Sequence, residues 1–108
     1  MTQLPVACTL TEPEMARRRA GLFADLKRRR QEARWSPEGV VLRYGPEPDT
    51  LALLTEFIQL ERRCCPFLHS RLTVGPGDNP AWLELTGPPG TRELLTREIG
   101  DPGNEENA

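Results

Sequence analysis

The chain has 108 residues, of which 37% are hydrophobic and 28% charged, with a net charge of −2. For that length one hydrophobic core and no second domain are expected. The slightly acidic balance supplies no global attraction for nucleic acid or an anionic membrane, and no apolar run approaches the ~20 residues of a membrane span.

Eleven prolines and nine glycines imply short elements joined by tight turns. The start MTQLPVACTLTEPEM lacks the basic, apolar and small-residue segments of a secretory signal, which points to the cytoplasm. Three cysteines are an odd number for a reducing compartment, so free thiols or metal ligands are expected rather than a disulfide framework.

In chain order, LPVACTL (residues 4 to 10) reads as a strand with Val6, Cys8 and Leu10 on its core face. Thr11 is placed to cap a long helix from Glu12 to Ala33, with Pro13 in its first turn and Glu14 at the capping-box position. Met15, Leu22, Leu26 and Ala33 share the apolar stripe of that helix, and Arg19 falls inside it. Its other faces are basic, carrying Arg17, Arg18, Lys27, Arg28, Arg29 and Arg34.

WSPEG turns the chain into the strand GVVLRYG, and PEPD leads into a second helix ending at Cys64 or Cys65, before Pro66. FLHSRLTV and AWLELT are expected as an antiparallel hairpin, followed by a last helix from Thr91 to Ile99. The expected fold is α/β: a two-layer sandwich with a four-stranded mixed sheet in the order β-α-β-α-β-β-α, helices mainly on one face. Residues 1–99 form the single domain, and the acidic tail 100–108 is expected to be disordered. The other sheet face, with Arg43, Arg71, Thr73, Trp82 and Glu84, is either solvated or a homodimer contact.

On the second helix Leu53, Leu54, Phe57, Ile58 and Leu60 form the apolar stripe, with Cys64 on it and Glu61 between Cys64 and Cys65 in angle. A carboxylate facing the core must be protonated, paired or metal-bound. Two partners offer themselves: Arg19, the matching anomaly on the first helix, or a cation shared with the thiols. Pro66 pushes Cys65 out of helical geometry and frees its sulfur to approach that of Cys64, although a disulfide between such neighbours is strained.

The negative end of a helix disfavours a thiolate, which counts against a constitutively activated nucleophile. A soft cation would instead deprotonate the thiols, and Zn(II), Cu(I), Hg(II) or As(III) suit sulfur ligands. Cys64, Cys65, Cys8 and Glu61 are the candidate ligands, with Arg19, Pro66 and His69 in support. Strand alternation groups His69 with Phe67 and Arg71, a surface placement.

Through ERRCCPFLHSRL and WLELTGPPGTRELL, and ACTL near the start, the chain resembles a widespread family of small bacterial proteins. That family carries an E-R-x-C-C-P-F motif and a later L-T-G-P-x-G motif. Its members are similar to proteins encoded near heavy-metal resistance genes, which implies a thiol or metal role by association. The motif falls on Glu61, Arg62, Cys64, Cys65, Pro66 and Phe67.

The leading expectation is thus a cytoplasmic soft-metal or metalloid binding protein, a sensor, buffer or carrier whose partner is a metal ion or a small thiol-reactive ligand. A thiol redox protein or enzyme is the alternative, although the CxxC spacing is absent. A module binding nucleic acid or an acidic partner through the basic first helix ranks below both, because the helix has no interleaved aromatics.

Overall fold

Two periodicities set the architecture, a repeat of two residues in the strands and a repeat near 3.6 in the helices. A computed structural model describes residues 12–100. The elements are α1 (Pro13–Arg29), β1 (Arg30–Ser36), β2 (Gly39–Tyr44), α2 (Pro48–Cys64), β3 (His69–Val74), β4 (Ala81–Thr86) and α3 (Thr91–Ile99). The strands form one sheet in the order β1-β2-β4-β3, and every pairing is antiparallel.

Along β2 the alternation buries Val40, Leu42 and Tyr44, and along β4 it buries Ala81, Leu83 and Leu85. Leu42 pairs with Leu83, which in turn pairs with Leu72 of β3. Leu26 of α1, Leu54 and Phe57 of α2, and Leu95 and Ile99 of α3 complete one core against this face. Phe23 meets Phe57 edge to face, with ring centroids 5.2 Å apart, and this contact helps to join α1 to α2. The opposite face carries Trp82, over whose ring Arg43 and Arg34 lie at 5.7 and 5.8 Å, with Arg71 and Glu84 3.6 Å apart beside it.

The two-layer α/β class, the β3–β4 hairpin and α3 agree with expectation. Two details differ. The first helix ends at Arg29 rather than Ala33, because Arg30–Ser36 pairs with β2 as an edge strand. Ala33 is still buried, but opposite Leu42 in the sheet rather than on a helical stripe. The sequence RRQEAR has good helix formers, and its propensity is overridden by the ladder and the inward burial of Ala33 and Trp35.

Among the described residues every strand pairing is also antiparallel rather than mixed. The strand expected over residues 4 to 10, the Thr11 cap and the tail from residue 101 lie outside the described residues. Glu12 occupies the N-cap of α1 without a side-chain cap bond.

Gly39 marks a close backbone approach in the sheet, since a Cβ there would sit 1.9 Å from the carbonyl oxygen of Leu85. Gly21 on α1 has nothing within 4 Å of the same position. Urea unfolding should therefore find Gly39→Ala destabilised by about 1–3 kcal/mol. Gly21→Ala should be stabilised by about 0.5–1 kcal/mol.

Candidate thiol and carboxylate site

Arg19 sits one helical turn before Phe23 on α1, and its guanidinium carbon lies 4.5 Å from the Phe23 ring centroid. Glu61 lies in the last turn of α2 and is 1% exposed. The Cys65 N–H still donates to the Glu61 carbonyl at 2.7 Å. With φ −123° and ψ 77°, however, Cys65 has left helical geometry, as the following proline requires. The Leu68 N–H donates to the Cys65 carbonyl at 3.0 Å, which closes a turn around Pro66 and Phe67. This stop keeps Glu61 and Cys65, four residues apart, on one side of the helix end.

Three helices meet at this point. Arg19 donates from Nε to Glu61 Oε2 at 2.7 Å and from Nη2 to Glu61 Oε1 at 3.3 Å. Its Nη2 also donates to Glu98 Oε1 of α3 at 2.7 Å and approaches Cys65 Sγ at 4.0 Å. The Arg19 side chain is 14% exposed and that of Glu98 18%. One ligand atom each from Glu61, Cys65 and Glu98 lie within 4.8 Å of one another, a group able to hold a metal ion.

The electrostatics follow from burial and from one cation facing two acids. Burial raises the pKa of Glu61, while the hydrogen bond and charge of Arg19 pull it partly back. Burial opposes the charge of Arg19 too, but the bonds and charges of Glu61 and Glu98 outweigh it and raise its pKa. Cys65 is pushed up to about 12, by burial first and then by the negative charges of Glu61 and Glu98. A thiol held protonated in this way is a poor nucleophile.

Cys65 is a free, buried thiol, whereas Cys64 is disulfide-bonded. Their sulfurs lie 3.7 Å apart, far beyond the ~2.0 Å of an S–S bond, so the two neighbours are not bonded to each other. The expectation of two free thiols is corrected for Cys64. It rested on the usual redox state of a compartment, not on the surroundings of this sulfur. Both cysteines pack with Phe67 and Leu94 in a small apolar cluster.

Of the residues singled out in the sequence, Arg19, Glu61 and Cys65 thus converge, with the Cys64 sulfur beside them and Pro66 setting the turn. His69 is exposed at the start of β3 and takes no part in the described metal-ligating group. Cys8 lies outside the described residues.

Glu98 is the member that sequence reading missed. At about 100° per residue it falls inside the arc bounded by Leu94 and Ile99, so the signal was the same misplaced acid that marks Glu61. Much of the basic charge on α1 is engaged by acids, in the pairs Arg18–Glu56, Arg28–Asp25 and Arg29–Asp49. No family model, curated protein or solved structure matches the chain.

Arg19→Met would leave Glu61 buried without its cation and should cost about 3–5 kcal/mol in urea unfolding. Alkylation of Cys65 in the folded protein should stay slow at pH 9.0, the ordinary thiol value, and accelerate only towards about 12. The stability this thiol contributes should be fully present below pH 9.0 and lost as pH rises through about 12, because the folded state holds a proton that the unfolded state releases.

Proposed function

We propose that this is a cytoplasmic, thiol-based protein for a soft or borderline metal ion or metalloid, serving as a sensor, buffer or carrier. The supporting observation is the convergence of Cys65, Glu61 and Glu98 within 4.8 Å at the junction of three helices. One sulfur and two carboxylate oxygens suit Zn(II) best among the ions considered. Metal binding would displace the Cys65 proton, which burial otherwise retains.

Arg19 stands beside the three donors as a built-in countercharge. With the thiolate formed, the negative charges of Cys65, Glu61 and Glu98 balance a divalent ion together with Arg19, so the guanidinium need only move aside. A softer ion such as Hg(II), Cu(I) or As(III) would call on a second sulfur. Cys64 Sγ lies 3.7 Å from Cys65 Sγ, and reduction of the Cys64 disulfide would make it available.

That same proximity favours a second reading, thiol–disulfide exchange. The Cys65 thiolate would attack Cys64, forming a bond between the neighbours and expelling the sulfur previously bound to Cys64 as a thiolate. The raised pKa of Cys65 and the strain of such a bond rank it below metal binding.

Titration of the reduced protein with cadmium, a spectroscopic stand-in for zinc, separates the two readings. Metal binding predicts one equivalent taken up, a sulfur-to-metal charge-transfer band and release of a proton. Cys65→Ser should abolish the band, and Glu61→Gln or Glu98→Gln should weaken binding by about tenfold or more. An unchanged band in Cys65→Ser would sink the proposal. Cadmium should also raise the melting temperature of Arg19→Met more than that of the parent chain, because the ion replaces the missing cation.

A further inference from the structure

Glu98 also borders a cleft of about 290 Å³, open to solvent on one side, between α1, α3, β2 and Phe57 in the middle of α2. Its walls are apolar, built from Phe23, Leu26, Leu42, Phe57 and Ile99. Side chains normally fill a protein interior to crystal-like density. A space of ~150 Å³ already accepts benzene, and small-molecule sites begin near ~300 Å³. This cleft therefore fits a body of one or two rings, or a branched aliphatic chain of that bulk.

The rim selects the charge. Lys27, Arg30 and Arg97 line the mouth. Lys27 and Arg97 are exposed, and neither has a carboxylate partner among the described residues, whereas Arg18, Arg28 and Arg29 on α1 each do. The acid at the rim, Glu98, is engaged by Arg19 at 2.7 Å. The mouth is consequently an apolar opening edged by cations.

We infer that this cleft is a binding site for a small organic carboxylate with an apolar body. The body occupies the space between α1, α3 and β2, and the carboxylate sits at Lys27 and Arg97. The site is distinct from the Cys65 cluster, shares only Glu98 with it, and stands or falls without any metal.

Titration of the isotope-labelled full chain with naphthoate, naphthylmethanol and naphthylmethylamine, followed by methyl resonances, tests the assignment. Naphthoate should shift the Leu26, Leu42 and Ile99 methyls saturably and bind roughly tenfold or more tightly than the alcohol, with the amine weakest. The exposed double substitution Lys27→Ala/Arg97→Ala should lower naphthoate affinity to that of the alcohol and leave the alcohol unaffected. Cys65→Ser should retain naphthoate binding, which separates this site from the metal proposal. The inference is overturned by an absence of saturable shifts with any probe, by amine binding as tight as naphthoate, or by undiminished naphthoate affinity in the double variant.

Discussion

The structure depends on a single buried contact, the guanidinium of Arg19 against the carboxylate of Glu61. Removing two ions from water costs several kcal/mol apiece, and only good geometry and further hydrogen bonds repay it. Both conditions are met. The contact is two-pronged, Nη2 also donates to Glu98, and the guanidinium face rests on Phe23. Because these partners come from α1, α2 and α3, the same interaction fixes how the helices dock over the sheet. Hydrophobic contacts among Leu26, Leu54, Phe57 and Leu95 supply the bulk of the stabilisation but are not directional. The ion pair supplies the direction.

That docking also determines the character of the thiol. Cys65 lies beside two acids and one cation in an apolar setting with Phe67 and Leu94. An isolated cation nearby would have lowered its pKa, as at reactive cysteines. Here burial and the acids dominate, so the resting thiol is protonated and inert. Inertness towards ordinary electrophiles is compatible with the metal binding we propose, because a bound ion would itself remove the proton. On that proposal ligand chemistry is separated from nucleophilic chemistry through the local dielectric rather than through cysteine spacing.

Three strands, α2 and α3 were readable from the sequence because period and punctuation agreed: β2 and β4 alternate cleanly, the turn GPGDNP sets off β3 from β4, Pro66 ends α2, and TGPPG introduces α3. The tract from Arg30 to Ser36 was not, since its composition favours a helix and only pairing with β2 makes it a strand. Within the site, Arg19 and Glu61 were each legible as a charge inside an apolar stripe, and their sum suggested the pair. Glu98 obeys the same rule on a helix of nine residues, where one acid beside three apolar positions stands out less. The redox state of Cys64 had no local signature. No spacing rule within α2 encodes its disulfide.

Arg19 lies against Glu61, Cys65 and Glu98, in the place we propose for a metal ion. A crystal structure of the reduced protein loaded with cadmium, with the ion located by anomalous scattering, tests this most directly. The account predicts an ion bonded to Cys65 Sγ and to carboxylate oxygens of Glu61 and Glu98, with the Arg19 guanidinium displaced from its two-pronged contact. An intact Arg19–Glu61 pair, with cadmium bound elsewhere or not at all, would contradict it.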